Sequence, residues 1–221
     1  MVCGLVIVKT VLFDFDGVVV DSEPLHYRTF MEILGPLGIS VDLQRWYRDF
    51  AGTGSRRIIE VLIREYELKE DIGILVQKRK TLYEQLVRKG ELRETDGIRE
   101  FLGLLEKKGI KKAIVSGSHR TNVDAALEVL HLTGFDLIVS GDEMKKMKPD
   151  PDPFLLAAQR LGVPPASCIV FEDSVAGSIA AKRAGMKLVV VESPALPNIK
   201  EYDLLIRDFR KDLEKIIPLL L

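Results

Sequence analysis

The chain has few cysteines, few histidines and no excess of charge of either sign. Cys3 and Cys168 stand far apart with no CxxC spacing, which excludes a disulfide framework and a cysteine-built zinc knuckle and makes both reduced apolar fillers. Lys plus Arg number 32 against 33 Asp plus Glu, a net charge of -1. A chain held to nucleic acid by phosphate neutralisation carries a basic excess or basic clusters, so no nucleic-acid partner is expected. No apolar run approaches the ~20 residues of a membrane span. Met1–Val8 is apolar but short, and it leads into acidic sequence without a small-residue cleavage site, unlike a signal peptide. These absences together describe a cytoplasmic protein with no membrane partner.

What is present suffices for a core. The 221 residues are 47% hydrophobic and 29% charged, close to globular averages, so one domain or a core with one insertion needs no metal or disulfide staple. Short apolar runs at Leu5–Phe13, Lys112–Val115, Leu137–Val139, Cys168–Phe171, Leu188–Val191 and Asp203–Ile206 read as strands buried on both faces. Helical patterns lie between them at Ile98–Lys108, Thr121–Leu132, Pro153–Leu161, Val175–Ala184 and Phe209–Leu220, several closed by a glycine: Gly109, Gly134, Gly162, Gly185. This alternation is that of an α/β fold with a doubly wound parallel sheet. From Pro24 to about Glu94 the rhythm breaks into amphipathic helices rich in Arg, Glu, Leu and Tyr, an inserted α-helical cap. The expected division is a core of residues 1–22 and 95–221 with a cap of 23–94.

Ligands of open parallel sheets bind outside the carboxyl ends of the strands. Those ends read Asp14-Phe15-Asp16-Gly17, Ser116-Gly117-Ser118, Ser140-Gly141-Asp142 and Glu172-Asp173-Ser174, with Lys148-Pro149 soon after the third. Clustered carboxylates keep their charge when a hard cation such as Mg²⁺ bridges them. Ser116 at a helix start, with the amides of Gly117 and Ser118, suits a phosphate. Lys148 brings a compact positive charge. The combination points to phosphoryl transfer, in which one of the two carboxylates Asp14 and Asp16 attacks phosphorus while the other moves protons.

Asp14-Phe-Asp-Gly-Val-Val-Val-Asp-Ser-Glu23, Ser116-Gly-Ser118, Lys148-Pro-Asp-Pro151 and Glu172-Asp-Ser-Val-Ala-Gly177 resemble, in order and spacing, the four motifs of the haloacid dehalogenase superfamily. The likeness covers essentially the whole chain, and its cap is similar to that of the β-phosphoglucomutase-like and sugar-phosphatase branch. The resemblance implies a Rossmann-like core with Asp14 as nucleophile and Asp16 as acid/base. It further implies that Ser116, Gly117 and Lys148 hold phosphate. Mg²⁺ would take the carboxylates of Asp14 and Asp173, the Asp16 carbonyl, and Glu172 directly or through an intermediary. An aspartate at position 16 favours phosphate esters over halides, which need no general acid.

Several residues carry weaker signals. Gly52-Thr-Gly-Ser-Arg-Arg57 lacks the third glycine and preceding strand of a nucleotide loop. The resemblance makes it a cap loop over the site, with Gly52 and Arg56 as candidates for substrate contact. His26, near the hinge, matches a histidine of the mutase branch, and His119 follows the phosphate loop. Trp46 and Tyr47 read as packing residues. The function implied is a Mg²⁺-dependent phosphatase acting through an aspartyl-phosphate on a small phosphorylated metabolite, such as a sugar phosphate, as a monomer or weak homodimer. The alternatives are a β-phosphoglucomutase-like phosphomutase, disfavoured by the missing cap-loop lysine, and a non-catalytic phosphate-binding scaffold, disfavoured by the intact motifs.

Overall fold

Residue period decides the layering of the sheet. The structure, a computed structural model, describes residues 8–193 and 198–220. Along the chain run β1 (Thr10–Phe13), β2 (Val20–Asp21), α1 (Glu23–Leu34), α2 (Leu43–Asp49), α3 (Ser55–Glu65), α4 (Ile72–Arg88), β3 (Arg93–Glu94), α5 (Ile98–Lys107), β4 (Lys111–Val115), α6 (Arg120–Val129), β5 (Leu137–Val139), α7 (Asp152–Leu161), β6 (Cys168–Glu172), α8 (Val175–Arg183), β7 (Lys187–Val191), β8 (Leu204–Ile206) and α9 (Leu213–Ile216). Six strands form one parallel sheet in the order β5-β4-β1-β6-β7-β8. Val11, Phe13, Ile114, Ile169, Phe171 and Val189 face one way and meet α5, α6 and α9. Leu12, Ala113, Val115, Val170 and Leu188 face the other and meet α7 and α8. With helices on both faces, consecutive residues such as Val11–Phe13, Ala113–Val115, Ile169–Phe171 and Leu188–Val191 are all apolar, hence the continuous runs in the sequence.

Four rings brace the carboxyl ends of β1 and β6 from behind. Phe13 (β1), Phe101 (α5), Phe171 (β6) and Phe209 touch in all six pairings, with centroids 5.1–6.2 Å apart. Phe13 and Phe171 directly precede Asp14 and Glu172, so the rings hold the two strand ends that carry the acids.

The helical insertion leaves and returns through the antiparallel pair β2–β3, with Val20 opposite Glu94 and Asp21 opposite Arg93. Asp42 and Asp71 cap α2 and α4 by accepting from the amides of Arg45 and Ile74. Phe30, Leu34, Trp46, Ile59, Leu62 and Leu75 form a cluster of the insertion's own. Leu25 of α1 and Tyr83, Leu86 and Val87 of α4 pack instead with α5 and α6.

Two elements are shorter than the sequence predicts. Strand β1 begins at Thr10; Leu5–Ile7, like Cys3, lie outside the described residues. The final helix, predicted over Phe209–Leu220, is reduced to α9 and a 3-10 turn. Asp208 accepts from the amides of Arg210 and Lys211, and Asp212 from that of Arg207, side-chain bonds that compete with helix there. Pro218, which lacks an amide hydrogen, then limits its extension. Among the described residues no helix is long and apolar enough to cross a membrane.

Phe101 is fully buried at the centre of the ring cluster. Phe101→Ala should lower unfolding free energy by about 3–5 kcal/mol in urea denaturation; a loss under about 1 kcal/mol would mean the rings do not brace the sheet.

Candidate active site

Lys148, from the loop after β5, joins three neighbouring strands. Its Nζ donates to Asp14 Oδ1 at 2.6 Å, to Glu172 Oε1 at 2.6 Å and to the carbonyl of Val115 at 2.9 Å. All three ammonium hydrogens are thereby engaged. Burial works against the lysine's charge, but Asp14 and Glu172 outweigh it and raise its pKa. Glu172 is fully buried; its other oxygen accepts from the amides of Asp173 and Ser174 and from the Ser174 hydroxyl. Glu172 therefore fixes Lys148 and the following loop, and it is less open as a direct metal ligand than the sequence suggested. A methyl group on Gly177 would collide with the Glu172 carboxylate, and one on Gly17, at φ +78°, with that of Asp173.

Asp14, Glu172 and Asp173 each place a carboxylate oxygen within 4.8 Å of the other two. Burial, opposed by Lys148 and aided by Glu172, pushes Asp14 up to about 7. Burial together with Glu172 and Asp14 raises Asp173 well above the usual carboxylate range. No described residue donates to the Asp173 carboxylate or to the Asp16 carbonyl. An all-oxygen set with unbalanced negative charge fits a hard divalent cation.

Asp16 lies in a different environment from Asp14. Burial raises its pKa, but hydrogen bonds and charge from His26, with further bonds from Ser22 and Ser118, bring it down to about 2. Ser118 Oγ donates to its Oδ2 at 2.8 Å, and His26 Nε2 lies 3.5 Å from Oδ1. Arg79 of α4 donates to His26 Nδ1, which leaves the ring hydrogen on Nε2, facing Asp16. Arg79 also bonds Thr29 and Ser55 Oγ, lies over the rings of Phe30 and Tyr83, and has no carboxylate within ion-pair distance among the described residues. Tyr83 stacks on His26 at 4.7 Å.

The loop after β4 departs from its sequence reading in two respects. The amide of Ser116 donates to Val139 and that of Ser118 to Ser116 Oγ; of these three, the Gly117 amide alone has no partner among the described residues. Helix α6 starts later, at Arg120, so the loop itself, rather than a helix end, presents the donor.

Of the weaker candidates, His26 reaches the site and three others do not contact it. Arg56 pairs with Glu60 at 3.1 Å one turn along α3 and is mostly exposed. Gly52 is a left-handed turn residue with open space where a Cβ would stand. His119 pairs with Asp142 at 2.5 Å and is exposed. Trp46 is buried, as predicted, and donates to Glu23 Oε1 at 2.5 Å. Arg79 and Tyr83 were missed, as was the bond from the Ser118 hydroxyl to Asp16. For Arg79 a signal existed: it falls on the apolar stripe of α4 with Leu75, Tyr83 and Leu86, where a solvated arginine has no place.

An open parallel sheet that gathers acids and one lysine from separate strand ends places the protein among α/β enzymes. Within that class the chain belongs to the haloacid dehalogenase-like hydrolase family, whose model matches residues 11–191. It is 34% identical over 210 residues to YhcW of Bacillus subtilis (strain 168), across 95% of this chain and 92% of that one. It is likewise 34% identical over 188 residues to the phosphorylated carbohydrates phosphatase of Thermotoga maritima, across 82% and 83%. The crystal structure of CbbY from Rhodobacter sphaeroides in complex with phosphate superposes with a TM-score of 0.80 at 27% identity, covering 93% of this chain and 96% of that one.

The raised pKa of Asp14 makes stability depend on pH. Its unfolded value is 3.8, so between there and about pH 7 the folded chain binds a proton that the unfolded chain has released, and the stability this gives is lost as pH rises through 7. In buffer free of divalent ions the urea midpoint should fall from pH 5 to pH 8, and Asp14→Asn should flatten much of that fall. A wild-type midpoint constant over this range would show that Asp14 ionises normally.

Proposed function

We propose that the protein is a Mg²⁺-dependent phosphatase that hydrolyses a small phosphorylated metabolite, a sugar phosphate above all, through an aspartyl-phosphate on Asp14. The observation that carries this reading is the contact of Lys148 with Asp14 and Glu172 at 2.6 Å, beside the carboxylate of Asp173, to which no described residue donates. Asp14 has one oxygen engaged by Lys148 and the other open for attack on phosphorus. The Gly117 amide, without a partner among the described residues, and the Ser116 hydroxyl hold phosphate oxygens. Asp14, Asp173 and the Asp16 carbonyl would hold Mg²⁺, which would supply positive charge to balance the clustered acids and the incoming phosphate.

In the first half-reaction Asp14 forms a bond to phosphorus as the ester bond breaks, and Asp16 gives its proton to the leaving oxygen. In the second, water attacks phosphorus, Asp16 takes the proton, and the bond to Asp14 breaks. For the first step Asp16 must carry a proton, which its bonds to His26, Ser22 and Ser118 oppose and its burial favours. Release from those donors reverses the balance. Residues 23–94 act as the cap that limits bulk water at the site, and Arg79, from α4, sets the His26 tautomer that addresses Asp16. The name of the Thermotoga relative supports phosphorylated carbohydrates as the substrate class.

A panel of sugar phosphates, assayed with Mg²⁺ and with or without a bisphosphate, tests the proposal through steady release of inorganic phosphate. Bisphosphate-dependent isomerisation of glucose 1-phosphate without such release would make the protein a mutase, and binding without turnover a scaffold. Asp14→Asn should cut turnover on the order of 10³-fold or more with an unchanged circular dichroism spectrum; retained activity would remove Asp14 as nucleophile. Asp173→Ala should raise the Mg²⁺ needed for half-maximal rate at least about tenfold, and an unchanged requirement would place the metal elsewhere.

A further inference from the structure

The loop after β5 reaches over to the loop after β4 and ties it down at its far end. Both oxygens of Asp142 are used, one by His119 Nδ1 at 2.5 Å and the other by the amide of Arg120 at 2.7 Å. Arg120 is the first residue of α6, and His119 at its N-cap offers no side-chain acceptor. The missing cap therefore comes from another loop. Next to Asp142, the Gly141 amide donates to the Ser118 carbonyl at 2.9 Å, and a methyl on Gly141 would collide with the Gly117 carbonyl. The two backbones are thus in direct contact at the carbonyls of Gly117 and Ser118, beside the Gly117 amide that has no partner among the described residues. One residue on, Ser118 holds Ser116 Oγ through its amide and Asp16 through its hydroxyl.

We infer that Asp142 is a positioning residue for the phosphate loop: by fixing His119 and Arg120 it sets the direction of the Gly117 amide and of the Ser118 hydroxyl that holds Asp16. The inference rests on the phosphatase reading above, because only a phosphate-binding loop gains from being held in one orientation. It also makes a prediction whose sign separates geometry from charge. Asp142 is an anion near an anion site, so if it acted through its charge alone, removing it would tighten phosphate binding. If it acts by orienting the loop, removing it weakens phosphate binding.

The test is the affinity of the intact protein for inorganic phosphate in MgCl₂, measured calorimetrically, together with amide hydrogen exchange across residues 116–120. Asp142→Ala should weaken phosphate binding about fivefold, the scale of a lost helix cap. It should speed exchange in that loop and leave exchange in β1 and β6 unchanged. Asp142→Asn should restore most of the affinity, since its amide oxygen can accept from Arg120 and its amide hydrogen can bond a neutral His119. His119→Ala, which removes one of the two bonds, should fall between wild type and Asp142→Ala. Equal or tighter phosphate binding by Asp142→Ala, or a loss that Asp142→Asn does not recover, overturns the inference while leaving the phosphatase reading intact. A wild-type protein that binds no phosphate overturns both.

Discussion

The ammonium of Lys148, wedged between Asp14 and Glu172, is the contact on which the carboxyl edge of the sheet depends. Three carboxylates within 4.8 Å of one another repel, and burial adds to the cost of their charges. A single lysine bonded to two of them and to the Val115 carbonyl offsets part of that cost and fixes the separation of β1, β4 and β6 at their ends. The strand order puts β1 between β4 and β6, so the nucleophile candidate is flanked by the phosphate loop on one side and the paired acids on the other. The four phenylalanine rings beneath keep this edge from yielding to the repulsion above them.

A second polar layer joins insertion to core. Asp16 from the end of β1, His26 from α1 and Arg79 from α4 form a chain of hydrogen bonds and charge contacts, closed on the core side by Ser118. An arginine 9% exposed and without a carboxylate partner among the described residues is costly. Its cost is moderated by two aromatic faces and by the three side chains that accept from it. The two aspartates of the same motif, two residues apart, thus stand in opposite electrostatic states: Asp14 is held toward protonation by burial, and Asp16 is held ionised by its donors.

Much of this was legible in the sequence because it depends on local rules. The strand runs, the glycines after the helices and the order of polar strand ends each follow from neighbours within a few residues. Asp14, Ser116, Lys148, Glu172 and Asp173 could be chosen because strand ends are where parallel sheets place their ligands. What was not legible depends on contacts across 50 or more positions, such as Arg79 with Thr29. The final helix was overestimated because Asp208 and Asp212 spend their carboxylates on nearby amides, a competition that apolar periodicity does not register. Arg56 and His119 looked available from their positions, yet each had an acid partner within reach.

Helix α4 has a place in both hydrophobic clusters, through Leu75 in that of the insertion and through Tyr83, Leu86 and Val87 in that of the sheet. A rod of 17 residues seated at both ends makes the insertion and the sheet one cooperative unit. Neither can melt without stripping apolar surface from the other, so the insertion is a branch of the core's own stability rather than an appendage hung from a flexible strap.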